Sequence, residues 1–130
     1  MGKVRINRSA YNTMLYRSTV TILMQYGRQV EFYSKKFAPH DTGYLRSDIT
    51  TTFMPSGAGV PKVHVGSGLD YGLYQHEGTG IYGPRNRPIK PKHSKFLVFT
   101  DKYGNLVFAK SVRGAKPTRY LYRALKQVFR

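Results

Sequence analysis

The chain has 130 residues, enough for one domain with a single core, and its 22 Lys and Arg against 6 Asp and Glu give a net charge of +16. It contains no cysteine, which excludes a disulfide framework, a cysteine metal site and a thiol nucleophile. No apolar run approaches the roughly 20 residues of a membrane span, and no signal-sequence pattern opens the chain, so we expect a soluble protein. The surplus positive charge requires an anionic partner, for which nucleic acid, an acidic protein surface and anionic lipid are the candidates.

The first predicted element is a long helix from Ser9, a favourable N-cap, to Ala38, the residue before Pro39. Gly27 in its middle indicates either a kink or a close approach of backbones. Apolar residues at steps of four, seven and four predict a stripe that faces the core or a partner helix. The stripe consists of Tyr11, Leu15, Ile22, Tyr26, Tyr33 and Phe37. An unbroken helix of this length spans ~45 Å, so we expect part of it to reach a neighbouring subunit.

Alternating β-branched and aromatic residues predict four short strands, and a short helix closed by Gly78 lies between the two pairs. The predicted strands are 49–53, 60–66, 96–99 and 105–112, and the short helix is 70–77. The first two strands are expected to pair across residues 55–59, with Val63 and Val65 on one face of the second strand and His64 on the other. The last two strands are expected to form a hairpin around Gly104. We expect Phe96, Phe99 and Phe108 to lie in the core.

Residues 80–94 contain three prolines, two glycines and no acidic residue, a composition that excludes a helix or an inner strand. A segment of this kind is either a solvated loop or an extended arm that becomes ordered against DNA or a neighbouring protein. Its cations, with one just beyond it, are Arg85, Arg87, Lys90, Lys92 and Lys95.

The chain ends in a predicted amphipathic helix over 116–130, with Pro117 in its first turn. Its apolar side contains Tyr120, Leu121, Ala124, Leu125 and Val128. The opposite side is a stripe of one charge sign, made of Arg119, Arg123, Lys126 and Arg130. The stripe belongs either to a plain surface helix or to a surface that binds an anion. Its lack of Glu favours the second, because an ordinary solvated face mixes Glu with Lys.

Together these elements predict one α+β domain over residues 1–130. The long N-terminal helix would pack on a small, mainly antiparallel sheet of about four strands, followed by the C-terminal amphipathic helix.

No catalytic or metal-binding pattern is evident. The four histidines have no metal-ligand spacing, and the neighbours His76 and Glu77 are expected to diverge. A small basic ribonuclease is an alternative in which these two residues act as acid and base beside Arg85 or Arg87. We expect no cofactor, no metal and no catalytic residue.

Three phrases, Asp41 to Arg46, Tyr71 to Gly80 and Gly114 to Leu125, occur in that order along the chain. In residue type, order and spacing they resemble the tail-completion and head-tail joining proteins, also called neck or minor capsid proteins, of long-tailed double-stranded DNA bacteriophages. The matching residues are Asp41, Thr42, Gly43, Leu45, Arg46, Ile49, Tyr71, Tyr74, Glu77, Gly78, Thr79, Gly114, Pro117, Tyr120, Leu121, Ala124 and Leu125. Asp48 and Gly72 depart from the Ser and Ala usual in that family.

The resemblance implies a structural virion protein, made in the host cytoplasm, that forms a ring around the DNA path at the head-tail junction. Its partners would be copies of itself, adaptor, head-closure, tail-terminator or tail-tube subunits, and packaged DNA through phosphate contacts, with no membrane. The phrase residues would be caps and turns, and the two basic segments would face DNA or an acidic neighbour. A DNA-binding protein without sequence specificity is the main alternative.

Overall fold

A computed structural model describes residues 2–40, 43–55 and 60–130, and it has the α+β architecture that the sequence predicts. Four α-helices, one 3₁₀ turn and four strands follow one another in the described residues. In chain order they are α1 (Arg8–Phe37), α2 (Tyr44–Asp48), β1 (Thr50–Met54), β2 (Lys62–Gly66), α3 (Asp70–Glu77), the 3₁₀ turn Gly80–Tyr82, β3 (Leu97–Thr100), β4 (Leu106–Ala109) and α4 (Tyr120–Val128).

The N-cap of helix α1 lies two residues before the predicted one, because the side chain of Asn7 rather than Ser9 accepts a hydrogen bond from the backbone nitrogen of Ala10 at 3.2 Å. The helix ends at Phe37, and Ala38 adopts the extended backbone that the following Pro39 requires. The predicted long helix is therefore present, and only its capping residue differs.

The buried line of α1 lies beside the predicted apolar stripe, because it runs through Gly27, Val30 and Ser34. Tyr26, Tyr33 and Phe37 flank that line, and the Tyr26 ring lies 5.1 Å from the ring of Phe129. The first three stripe residues face solvent, with Tyr11, Leu15 and Ile22 each just over half exposed. The stripe therefore contacts the core only in its C-terminal half.

Gly27 permits a close approach of α1 to the first hairpin. A Cβ atom at this position would lie 2.6 Å from Val63 Cγ1 and 2.7 Å from Thr51 Cγ2. The Thr51 hydroxyl also lies 3.2 Å from the carbonyl oxygen of Gly27. Of the two roles predicted for Gly27, close contact is the one that the structure assigns.

Strands β1 and β2 form an antiparallel hairpin with Thr52 opposite His64 and Phe53 opposite Val63. The side chains of Val63 and Val65 form the half-buried face of β2, whereas His64 on the other face is exposed. This alternation is the one predicted from the sequence, and the hairpin packs on α1.

The four strands form two separate two-stranded sheets instead of the single predicted sheet. Strands β3 and β4 pair with each other, with Val98 opposite Phe108, and the only further pairing described for this hairpin is an isolated bridge between Ile89 and Val112. Sequence patterns specify hairpins between neighbouring strands, but the joining of two hairpins depends on the segments between them.

The predicted core position of Phe96, Phe99 and Phe108 is wrong, because these side chains are 43%, 40% and 61% exposed. The core instead lies where the end of α1, α2 and the start of α4 meet, and it consists of Ala38, Leu45, Ile49 and Tyr120. Phe37, Val65 and Leu121 pack against this cluster. The second hairpin lies outside it.

Helix α4 begins at Tyr120, four residues later than predicted. The preceding backbone is extended because it hydrogen-bonds to other segments: Thr118 donates to the carbonyl oxygen of Gln75 at 2.9 Å, and Arg119 donates to that of His76 at 3.2 Å. Arg119 has a positive φ of 49°, so the helix cannot extend backwards through it.

We expect Gly27→Ala to lower the free energy of unfolding by about 1–3 kcal/mol, although alanine is the better helix former. The added methyl group would meet Val63 and Thr51, whose branched side chains have little rotamer freedom. Urea unfolding measures the change. A Gly27→Ala, Val63→Ala double variant should recover part of the loss, and a stabilised Gly27→Ala protein would contradict this close contact.

Protonation of Glu31 is expected to destabilise the fold. Hydrogen bonds from Lys35, at 2.7 Å, and from the Thr51 hydroxyl, at 2.5 Å, hold the pKa of Glu31 below its ordinary 4.5. The contribution is therefore present above pH 4.5 and is lost as the pH falls through the lower folded-state pKa.

Urea unfolding between about pH 6 and about pH 3 tests this expectation. The free energy of unfolding should fall more steeply below pH 4.5 for the wild-type protein than for Glu31→Gln or Lys35→Gln. Parallel curves for all three proteins would assign the acid sensitivity to other groups.

Candidate functional site

The three phrases of the family resemblance meet around the side chain of Tyr120. This residue is 2% exposed, and its hydroxyl donates to the carbonyl oxygen of Gly72 at 3.2 Å. Leu45 belongs to the same buried cluster, and a Cβ atom on Gly72 would lie 2.8 Å from Leu45 Cδ1. Burial raises the pKa of Tyr120, so the phenol remains a neutral donor. One buried aromatic ring thus joins α2, α3 and α4.

The second and third phrases also share a hydrogen-bonded seam. The Thr79 backbone nitrogen donates to the carbonyl oxygen of Ala115 at 2.9 Å, and Thr79 Oγ1 accepts from the Ala115 nitrogen at 2.8 Å. Two residues further on, the Ile81 nitrogen donates to the carbonyl oxygen of Arg113 at 2.8 Å. The segment after α3 is therefore tied to the segment that leads into α4.

Glycine is required on both sides of this seam. Gly80 and Gly114 have φ values of +64° and +99°, and a Cβ atom on either would overlap the backbone of the opposite segment. A Cβ atom on Gly78, which also has a positive φ, would lie 3.0 Å from Pro117 Cδ. The backbones approach more closely than any side chain allows.

The remaining phrase residues lie at the same joint or on its surface. Arg46 donates through Nε and Nη2 to the carbonyl oxygen of Ala38, at 3.1 and 2.9 Å, and so links α2 to the end of α1. Gly43 is the N-cap residue of α2 with a φ of 87°. Asp41 and Thr42 lie outside the described residues. Tyr71, Tyr74 and Glu77 are exposed, Leu121 is half-buried and Ala124 is buried.

The basic segment at 80–94, for which a solvated loop and an extended arm were the two alternatives, begins as a closed loop. Ile81 is hydrogen-bonded to Arg113, and Ile89 pairs with Val112, the residue before Arg113, so both ends of 82–88 are held side by side. The segment holds a 3₁₀ turn and an isolated bridge, but no α-helix or strand, and its prolines do not prevent these backbone hydrogen bonds at the two ends of the loop. Arg85, Arg87, Lys90, Lys92 and Lys95 are all exposed along this loop and the stretch that leads to β3. We call these five residues the loop cations.

The second basic set, Arg119, Arg123, Lys126 and Arg130, is exposed, but only Arg123 and Lys126 lie within α4. The Arg123 guanidinium lies 4.5 Å from the ring centroid of Phe37, so it covers part of α1 instead of facing directly away from the core. The predicted straight stripe is therefore wrong, because the helix is shorter than its sequence pattern. We call these four residues the helix cations.

Four of the five described carboxylates, those of Glu31, Asp48, Glu77 and Asp101, interact with neighbouring groups. Glu31, Asp48 and Asp101 each have a lowered pKa, chiefly through hydrogen bonds from Lys35, Ser67 and the backbone of Asn105 respectively. In residues 2–40, 43–55 and 60–130, no side-chain nitrogen of the loop cations or helix cations lies within 4.0 Å of a carboxylate oxygen. Neither set is therefore neutralised by a described carboxylate, and the positive potential of both sets remains available to an anion.

His76 and Glu77 converge, contrary to the prediction that adjacent side chains diverge. His76 Nδ1 lies 2.9 Å from Glu77 Oε1, because Glu77 is the last residue of α3 and its side chain can fold back at the helix end. The other ring nitrogen, Nε2, is buried with no hydrogen-bond partner among the described residues. The ring lies edge-on to Tyr120, with 5.3 Å between centroids.

Sequence reasoning missed an apolar pocket of about 430 Å³ beside His76, between α1, β2 and α4. Its lining includes Leu23, Tyr26, Val63, Leu125 and Phe129. It also missed that Gly80 faces Gly114, although two glycine-containing phrases outside any helix were a signal of close backbone approach. No sequence signal indicated which elements would enclose the pocket.

Within the described part of the chain, no group of three or more His, Asp or Glu side chains is placed to hold a metal ion. No described helix is long and apolar enough to cross a membrane. No family model, curated protein or solved structure matches the chain. We therefore infer function from the contacts and charges of the chain itself.

We expect Gly114→Ala to destabilise the protein by more than about 2 kcal/mol, because the methyl group must both adopt a left-handed backbone and overlap the opposite segment. Gly104→Ala is the matched control, since Gly104 has a φ of +84° but open space, with no atom within 4 Å, where its Cβ atom would lie. Its loss should be about 1–2 kcal/mol. Urea unfolding compares the two variants, and equal losses would contradict a closely packed seam.

Proposed function

We propose that this chain is a structural subunit of a bacteriophage neck, a tail-completion or head-tail joining protein that forms a ring around the DNA path. The single observation that carries the proposal is the convergence of the three phrases on one joint around Tyr120. Residues as far apart in the chain as Leu45 and Tyr120 act there as packing and backbone contacts. Such residues position a scaffold, as the family resemblance implies for them.

The surface charge supports an anionic partner for that scaffold. The loop cations and helix cations are exposed, and none of their side-chain nitrogens lies within 4.0 Å of a described carboxylate oxygen. Cations without carboxylate partners repel one another until an anion approaches, so binding of DNA phosphates or an acidic protein would relieve that repulsion and release counterions. Neither set projects from a long helix aligned for a DNA groove, which favours phosphate contacts over base readout.

The proposed location is the virion head-tail junction, after synthesis in the bacterial cytoplasm. Adaptor, head-closure, tail-terminator and tail-tube subunits are the proposed neighbours. In this role the protein performs no turnover, and its contribution is to hold two particle parts together around the packaged DNA.

A DNA-binding protein without sequence specificity, acting outside any particle, is the second candidate, and the same exposed cations favour it. It predicts micromolar binding to any duplex that weakens steeply with salt. The ribonuclease alternative is less favoured, because the His76 nitrogen that is not bonded to Glu77 has no accessible surface from which to reach a substrate. That alternative predicts cleavage that is lost in His76→Ala.

Particles assembled without this protein should accumulate as unjoined heads and tails in electron micrographs, and wild-type protein should restore joining. Joined, DNA-filled particles in its absence would overturn the neck proposal.

Charge reversal tests the role of the cations. We expect Arg85→Glu, Arg87→Glu, Arg119→Glu and Lys126→Glu together to impair joining or DNA retention. The matched control is Lys3→Glu, Lys36→Glu, Lys62→Glu and Lys102→Glu, which makes the same change in net charge at exposed positions outside both sets. Fluorescence anisotropy measures the binding constant for duplex DNA at several salt concentrations. The slope of the logarithm of this constant against the logarithm of salt concentration should become shallower by about 0.9 for each phosphate contact removed. Equal joining by both variants would remove the cations from the proposal.

A further inference from the structure

The N-terminal half of α1 has no packing partner within the described chain. Every residue from 8 to 18 is exposed, and the first buried residue of the helix is Gly27. At 1.5 Å per residue, the part from 8 to 22 projects by ~22 Å. Its exposed apolar side chains are Tyr11, Met14, Leu15 and Ile22, at 52%, 63%, 53% and 52%. These four residues share one side of the helix, and we call them the helix face.

This half of the helix is also poorly supported by its own sequence. Thr13, Thr19 and Thr21 donate their hydroxyls to carbonyl oxygens one turn earlier, an arrangement that slightly destabilises a helix. Helices of about 15 residues without tertiary contacts are marginal in water even when their composition is favourable. An external surface that covers the helix face would supply the missing stabilisation.

A second uncovered apolar surface lies on the β3–β4 hairpin. Val98 and Phe108 lie opposite each other in the register, and alternation places Phe96 and Leu106 on the same side. These four side chains are 56%, 61%, 43% and 62% exposed, and we call them the hairpin face. Two-stranded hairpins are marginal alone and gain stability when a helix packs on them.

We propose that the helix face of one copy packs on the hairpin face of a second copy of this chain. The two faces are of the kinds that form helix-on-sheet layers, and both remain uncovered in the same chain. The contact cannot form within one copy, because the contacts around Gly27, Val30 and Ser34 hold α1 in a direction that leaves both faces open. This contact rests on the ring-forming role proposed above and specifies how its subunits meet.

The size of the two faces suits a weak, repeating contact. Four roughly half-exposed large side chains present about 400 Å² on each side, at roughly 100 Å² each. A standard interface buries about 800 Å² per partner, so polar neighbours must supply the rest and dilute protein stays monomeric. Because the two faces differ, the contact is head-to-tail, and repetition closes a ring or extends a filament.

The salt dependence of binding distinguishes a second copy of this chain from an acidic protein or DNA as the partner. Residues 2–30 contain no Asp or Glu, and the carboxylate of Asp101 at the hairpin turn accepts hydrogen bonds from the turn backbone. Contact between two copies is therefore held by apolar burial against charge repulsion, and salt should strengthen it. Contact with an anionic partner would weaken with salt.

Sedimentation velocity of the full chain, from micromolar to near-millimolar concentration at about 50 mM and about 500 mM NaCl, tests this contact. We expect the average mass to rise with protein concentration and to rise further at the higher salt. The helix-face variant is Met14→Gln with Leu15→Gln, and the hairpin-face variant is Val98→Thr with Phe108→Thr. Each should weaken self-association at least about tenfold. The control, Tyr44→Gln with Val60→Thr, alters apolar residues outside both faces that are even more exposed, and it should assemble like the wild type.

Mixing the two face variants gives the sharpest outcome. Each retains the face that the other lacks, so the mixture should form a one-to-one dimer that stops there. Circular dichroism of each variant establishes that it is folded. A hairpin-face variant that assembles like the wild type would overturn the contact in favour of helix-to-helix pairing. A mixture that stays monomeric, association that weakens with salt, or a wild-type chain that stays monomeric throughout would also overturn it.

The two experiments distinguish a failure of the neck proposal from a failure of the proposed contact between copies. If heads and tails stay unjoined without the protein, but both face variants assemble like the wild type, the neck role would stand and the proposed contact would be wrong. Salt-strengthened assembly through both faces, combined with normal joining in its absence, would retain the contact and remove the neck role.

Discussion

The burial of Tyr120 is the constraint on which the rest of the structure depends. Its ring fills the cluster with Ala38, Leu45 and Ile49, and its hydroxyl satisfies the carbonyl oxygen of Gly72. Because a buried phenol must have a hydrogen-bond partner, the position of α4 is specified relative to α3 as well as to α1. The seam between Thr79 and Ala115 extends the same joint, and the closed loop that displays Arg85 and Arg87 begins where that seam ends.

The small size of this core explains why so much apolar surface faces solvent. One cluster at one end of α1 leaves the first half of that helix and one face of the β3–β4 hairpin without internal partners among the described residues. A chain of this size has little material with which to cover both. Exposed apolar faces combined with a strongly cationic surface leave two kinds of surface available for partners, as the proposed neck role requires.

The two basic sets and the two uncovered apolar faces consist of different residues. The loop cations lie in the loop that the seam closes and in the stretch that leads to β3, the helix cations lie in and beside α4, and the apolar faces lie on the projecting half of α1 and on the second hairpin. The proposed ring would need two kinds of contact from each subunit, one with its own copies and one with the anion that the ring would surround. Apolar burial suits the first, since like-charged copies repel, and unpaired cations suit the second.

The amino-acid sequence alone determined the α+β class, the long first helix, the two hairpins and the helix at 70–77, because these depend on local periodicity, proline and glycine. Only the tertiary structure decided that the hairpins form separate sheets, that Phe96 and Phe108 are exposed, and that α4 starts at Tyr120. Those features depend on long-range partners: the backbone at 118–119 bonds to α3 instead of beginning a helix. Local patterns state which residues prefer burial, whereas contacts distant in sequence decide which of them find a place in a core this small.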